Sequence, residues 1–235
     1  MIFGLVFGII VLVLSFLVRL PKEEEIRGID SGGKKVAESY SESSAGQMIR
    51  SKKFWLFFLW AISLSSAGLV IVGNSTPFAD SILNNLELAA VIAGIISVCN
   101  GLGRILFGSL FDIKGYKVTM LSVITLFILA TIVLLSANAT GKYAILVIAY
   151  IAVGFAYGGV TPTISAFAAK FFGQKNYAMN LSVINLNLLI SSYLPQVATI
   201  LLDKTGEYNG MFYYMIILAV VGLVMALLIR KPEKN

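Results

Sequence analysis

The sequence has no histidine and one cysteine, and only 13% of its residues are charged. Without histidine there is no imidazole to relay protons, to activate a serine or to hold a metal. Cys99 has no second thiol to pair with and lies within an apolar run, so neither an internal disulfide nor a thiolate metal site is implied. There is no Walker motif, and hence no sign of ATP-driven work. Gly101-x-Gly103 lacks a third glycine and a preceding strand, so it is no dinucleotide fingerprint. No acidic pair stands in the middle of an apolar run. The chain therefore does not read as an enzyme, and no cofactor or metal is expected.

What is plentiful is apolar surface. Hydrophobic residues make up 58% of the 235, whereas soluble domains carry about 25% charged residues. A bilayer-crossing helix needs roughly 20 mainly apolar residues. Seven runs meet that length: about 1–20, 53–73, 87–110, 119–137, 143–169, 178–202 and 211–230. The fold class is all-α, a polytopic helical membrane protein with seven spans. The first run has no basic leader and no small-residue cleavage site, so it reads poorly as a signal peptide. Seven spans also fit a rhodopsin-like receptor, but the last run, "MFYYMIILAVVGLVMALLI", holds no lysine for a retinal Schiff base.

The net charge of +6 reads as membrane orientation rather than nucleic-acid binding. Lysine and arginine mark the cytoplasmic loops. All of them except Arg104, Lys142 and Lys204 fall in 19–53, in two alternate short connections, or in the tail. The N-terminus is therefore expected outside and the C-terminus in the cytoplasm, in a cell (plasma) membrane. Segment 21–52 mixes charge, serine and glycine and reads as a flexible cytoplasmic linker. Within it, Gln47 to Phe54 suit a short interfacial helix. Asn74-Ser-Thr and Asn138-Ala-Thr match glycosylation sequons on the outer side.

One stretch, "NGLGRILFGSLFDIKGYK", places Arg104 inside an apolar run. An intramembrane arginine costs about 2.5–3.5 kcal/mol on insertion scales, so it calls for a function. The plain alternative is snorkelling toward headgroups. Ala93, Ser97, Asn100, Gly101, Arg104 and Gly108 recur at three- and four-residue spacing and form one small, polar stripe. Such a stripe suits a cavity or another helix, and a guanidinium there suits a carboxylate. The close of the stretch, Gly108-x-x-x-Asp112-x-x-Gly115-x-Lys117, reads as a tight turn. Gly115 would supply the turn geometry, and Asp112 would complement a helix N-terminus.

Two further stripes stand out. Tyr150, Gly154, Tyr157, Gly158 and Thr161 share a face; the glycines suit close packing, and the tyrosines suit either packing or a substrate carboxylate. Ser182, Asn185, Ser192 and Gln196 fall near another face, with Pro195 expected to bend the helix. Asn185 is the best candidate there for a hydrogen bond to substrate or to a neighbouring helix. Gly4-x-x-x-Gly8 suits helix packing.

The glycine–aspartate turn resembles the loop signature of the major facilitator superfamily, G-x-x-x-D-x-x-G-[RK]-[RK], with Tyr116 at a position usually basic. "NGLGRILFG", "YGGVTPTISAFAAKFFGQKNYAMN" and "LLDKTGEYNGMFYY", led in by "GQMIRSKKFWLFFLW", resemble the C-terminal half of oxalate/formate antiporter-like and monocarboxylate carriers. The resemblance implies a secondary transporter working by alternating access. It implies three parts: 1–20 as the last helix of an N-terminal half, 21–52 as the linker and 53–235 as a six-helix C-terminal half. Arg104 then matches the arginine facing a substrate carboxylate. Asn100 stands where monocarboxylate carriers often have an aspartate, and Leu188 where the oxalate type has a lysine. The missing lysine points away from a dicarboxylate and toward monocarboxylates such as formate or lactate-like acids, or to a different substrate altogether. The implied site is Arg104, Asn100, Tyr150, Tyr157 and Asn185, and Gly108, Asp112, Gly115 and Lys117 form a conformational loop. The expected partners are a small organic anion, the lipid bilayer and an N-terminal transporter half on another chain. The alternative is a non-transporting membrane protein that associates with a full-length carrier, or an inactive truncated fragment.

Overall fold

A computed structural model describes residues 40–230. The first predicted span, most of the linker and the last five residues lie outside the described residues. Among the described residues every element is an α-helix: α1 (Ala45–Arg50), α2 (Lys52–Leu83), α3 (Leu86–Thr140), α4 (Tyr143–Gly158), α5 (Val160–Phe172), α6 (Tyr177–Asn185), α7 (Asn187–Ser191), α8 (Pro195–Thr205) and α9 (Asn209–Leu228).

Six crossings follow from these helices. α2 and α9 are each long and apolar enough to span, and α4–α5 and α6–α8 each form one further span. α3 has 55 residues, roughly 80 Å at 1.5 Å per residue, far beyond a hydrocarbon core of about 30 Å. It breaks at Gly115, with φ 78° and ψ 177°, a backbone region essentially reserved for glycine. The two arms then run back alongside each other. Phe107 and Phe111 share one core with Met120, Val123 and Ile124, while Ala89, Ile92 and Ile96 share another with Ala130, Leu134 and Ala137. The turn geometry expected of Gly115 is thus what separates the second and third crossings of this bundle.

The core lies in two layers. At the end carrying the basic turns, Phe57 stacks on Phe167 at 3.7 Å, and Phe167 on Phe171 at 4.0 Å. Tyr116 meets Phe171 edge-on at 4.9 Å. An aromatic at the position usually basic thus extends this cluster. At the opposite end Phe78 packs against Phe212 at 4.9 Å.

Two expectations change. α2 runs ten residues past the predicted end of its span, through Pro77 to Leu83. Only Asn84, in the left-handed region, and Asn85, the next N-cap, separate it from α3. Asn74 therefore lies in a helix, its amide donating to the Val70 carbonyl at 2.8 Å. Asn138 also lies in a helix, its amide donating to Asn209 Oδ1 at 2.9 Å. Neither sequon is presented on a loop.

The described part of the predicted linker, from Tyr40, is held in place by hydrogen bonds. The Tyr40 N–H donates to the Lys170 carbonyl at 2.7 Å and the Ser43 N–H to the Phe172 carbonyl at 3.0 Å. Glu42 accepts from the backbone N–H groups of Gln174 at 3.1 Å and Lys175 at 3.0 Å. Asn180 donates to the Ser43 carbonyl at 2.9 Å. Composition reads this segment as polar and free. Its polar groups instead satisfy the turn between α5 and α6, where Gly173 takes a φ of 89°.

Candidate functional site

The first arm of α3 has three faces. Ile92, Ile96, Cys99, Gly103 and Phe107 are buried. Val91, Val98, Leu102 and Ile105 are exposed and apolar. Between these faces runs the polar stripe: Ser97, Gly101 and Arg104 are exposed, and Ala93, Asn100 and Gly108 are half-buried.

Glycines set how this arm is held. A Cβ on Gly154 would lie 2.6 Å from Cys99 Cβ and 2.7 Å from the Ile96 carbonyl oxygen. A Cβ on Gly103 would lie 2.6 Å from the Phe155 carbonyl oxygen and 3.2 Å from Gly158 Cα. Real side chains do not fit at such distances, so α4 and the first arm meet backbone to backbone. This is the small-residue packing used between membrane helices. The contact leaves little freedom for rotation and keeps the polar stripe on the open side.

On that side the Arg104 Nε donates to Asn100 Oδ1 at 3.3 Å, one helical turn away. The remaining guanidinium N–H groups have no partner among the described residues. Asn185, Ser182, Ser192 and Gln196 are also exposed. They lie on a span whose α-helical ladder is interrupted at Leu186 and again at residues 192–194, where the backbone stays right-handed and N–H groups reach three residues back, after which Pro195 opens α8. Leu188 is 49% exposed.

Tyrosines 150 and 157 do not belong to the open side in the same way. Tyr150 is fully buried, and its hydroxyl donates to the Ser75 carbonyl. A hydroxyl beside a carbonyl inside the bundle ties α4 to α2 and does not reach the stripe. The Tyr157 ring covers Gly68 of α2, where no side chain would fit beneath it, and the residue is half-buried. Thr161 is exposed.

The turn motif divides by role. Gly115 breaks the helix. Lys117 Nζ donates to the carbonyls of Ala226 at 2.6 Å, Leu227 at 3.0 Å and Ile229 at 3.2 Å. Those groups end α9, where carbonyls lack helical partners and the dipole favours a cation. Asp112 is exposed, three residues before the break at Gly115, and its carboxylate makes no hydrogen bond among the described residues. Gly108 has room for a methyl group, since a Cβ there would lie 3.7 Å from Pro162 Cβ.

Sequence reading passed over a buried polar seam. Asn187 is fully buried, accepting from Ser65 Oγ at 3.2 Å and donating to the Ile184 carbonyl at 2.8 Å. Ser191 and Ser66 both donate to the Ile62 carbonyl, at 3.1 Å and 2.7 Å. The signal was the serine cluster Ser63 to Ser66 in an otherwise apolar span, together with a second asparagine, Asn187, two positions after Asn185.

Comparison with known proteins fits this architecture. The family model described as Major Facilitator Superfamily matches residues 1–194. The chain is 25% identical over 179 residues to an oxalate:formate antiporter of Oxalobacter formigenes, covering 74% of this chain and 41% of that protein. It is 26% identical over 188 residues to the uncharacterized MFS-type transporter YhjX of Escherichia coli (strain K12), covering 79% of this chain and 45% of that one. The chain thus spans about half the length of the curated relatives it matches. With a match over more than half its length and a bundle of membrane-length helices, this integral membrane protein belongs to the major facilitator superfamily.

Proposed function

We propose that the chain is the C-terminal half of a secondary carrier that moves small organic anions, monocarboxylates or formate, by alternating access. The observation that carries this reading is Arg104, held on the open polar stripe of α3 with N–H donors to spare. A guanidinium offers two parallel donors to a carboxylate. Asn100 orients it by accepting from Nε. Asn185, on the exposed side of the interrupted span, supplies a neutral amide to the same cavity, and Tyr157 supplies one wall. Tyr150 is a brace on this reading, not a ligand. An uncharged Leu188 leaves Arg104 as the fixed cation for the substrate among the described residues, which suits a single carboxylate.

A carrier site of this class lies near the bilayer midplane between two halves. The facing wall comes from an N-terminal half, which on our reading is supplied by another chain. The end carrying Lys114, Lys117, Lys170 and Lys175 is the cytoplasmic one. The similarity to a protein named for oxalate and formate supports the anion class.

The test is uptake of labelled formate by vesicles holding this chain together with its N-terminal half. Arg104→Ala abolishes uptake and Arg104→Lys retains part of it. Equal uptake by Arg104→Ala and the parent would remove Arg104 from the site. Uptake unchanged when this chain is omitted would favour an associated, non-transporting protein.

A further inference from the structure

The elbow between α1 and α2 carries a feature that transport through Arg104 does not use. Ser51 is both the C-cap of α1 and the N-cap of α2. Its N–H and hydroxyl donate to the Met48 carbonyl at 2.9 Å and 2.7 Å. Its oxygen also accepts from the Phe54 N–H at 3.2 Å. One residue therefore fixes the angle between the two helices.

Around this fixed angle stand Arg50, Lys52 and Lys53. Arg50 and Lys52 are exposed and Lys53 is half-buried. None makes a hydrogen bond or ion pair among the described residues. The sequence has no acidic residue between Glu42 and Asp80, and Glu42 is turned onto the backbone of Gln174 and Lys175. Lys52 and Lys53 also open a helix of 32 residues with no acid in its first turn. Cations at that end oppose the helix dipole, so the local charge is unfavourable until an anion joins it.

Below the cations lies a shelf of apolar side chains. Trp55 is 51% exposed, Leu59 43% and Ile49 38%. The indole is held in place, its Nε1 donating to the Ile49 carbonyl at 2.8 Å, and it packs edge-on to Phe54 at 5.2 Å. An amphipathic ring fixed beside cations is how proteins meet the headgroup layer.

We propose that this elbow binds an anionic phospholipid, its phosphate on Arg50, Lys52 and Lys53 and its acyl chain along Trp55 and Leu59. A soluble anion would satisfy the cations but would leave the fixed apolar shelf without a partner. The combination selects a lipid.

The experiment uses the full chain carrying Trp60→Phe, which leaves Trp55 as the only tryptophan. Trp60 is fully buried and its Nε1 has no hydrogen-bond partner, so the change breaks no bond. The protein is reconstituted in phosphatidylcholine vesicles, with brominated phosphatidylglycerol or brominated phosphatidylcholine as quencher. The site predicts that phosphatidylglycerol competes for Trp55 at least about fivefold better, since each basic residue near an anionic surface favours binding by about that factor. Arg50→Gln with Lys52→Gln and Lys53→Gln brings the ratio to near one, with helical circular dichroism unchanged. If that triple variant fails to fold, the exposed Lys52→Gln alone lowers the ratio by half or more. Lys175→Gln leaves it unchanged. Equal quenching by the two lipids in the parent overturns the proposal, as does an equal loss on Lys175→Gln. Absence of quenching by either lipid also overturns it, because Trp55 would then be covered by protein.

Discussion

Two spans of this bundle, α2 and the interrupted α6–α8, are built for different surroundings. Over their most apolar stretches α2 is 72% buried and α6–α8 only 22%. The more buried span is also the more regular: α2 runs unbroken for 32 residues. The α-helical ladder of the other is interrupted at Leu186 and again at residues 192–194, and the span exposes Asn185, Ser192, Tyr193 and Gln196. In lipid alone such a span would be costly, because the exposed side chains of Asn185 and Gln196 find no water there. An open, polar, interrupted helix therefore points to a cavity or to a second bundle. An unbroken apolar helix such as α2 forms the post against which it is set. The buried seam of Asn187 and Ser191 against Ser65 and Ile62 joins the two.

That contrast can be broken at its strongest point first. Gly154→Leu places a branched side chain where a Cβ already meets Cys99 and Ile96. It should destabilise the bundle by about 3 kcal/mol or more, as overpacking at a backbone contact does, read from unfolding in detergent. Gly101→Leu, on the open stripe with nothing within 4 Å of its Cβ, should leave unfolding unchanged.

The two asparagines two positions apart sharpen the comparison. Asn187→Leu removes the partner of Ser65 and should cost about 1–2 kcal/mol in the same measurement. Asn185→Leu should leave stability within about 0.5 kcal/mol, as for a surface change, while lowering formate uptake. Equal effects on stability would mean that both sides of this span are packed alike.

At the basic end the expected effects are smaller. Lys117→Ala frees three carbonyls at the end of α9 and should cost about 1 kcal/mol, seen as faster amide exchange in the last turn of that helix. Glu42→Gln weakens the hold of the linker on the α5–α6 turn. It should speed proteolytic cleavage near residues 40–44 severalfold and leave global unfolding nearly unchanged.

The long helices and the turn at Gly115 were legible because length, apolarity and glycine act locally. The exposed stripe through Arg104 was legible because spacing of three and four residues fixes a face. The role of Tyr150 was not, since a tyrosine facing a cavity and one bonded to a distant carbonyl have the same sequence pattern. Asn187 was missed in favour of Asn185 because residues two apart fall on opposite faces of a helix, and the polar stripe through Ser182, Asn185, Ser192 and Gln196 follows the exposed face. The segment 40–43 was missed because its partners lie far away in sequence, between Lys170 and Asn180.

The most direct measurement concerns the solvent along the Arg104 stripe. In a Cys99→Ser background, Gly101→Cys, which lies exposed on that stripe with open space around its Cβ and leaves Arg104 in place, is assembled with the N-terminal half and exposed to a charged thiol reagent that does not enter lipid. The account predicts rapid labelling from water that formate slows. Labelling only by a lipid-soluble maleimide, with no protection by formate, would place this position in the hydrocarbon and contradict it.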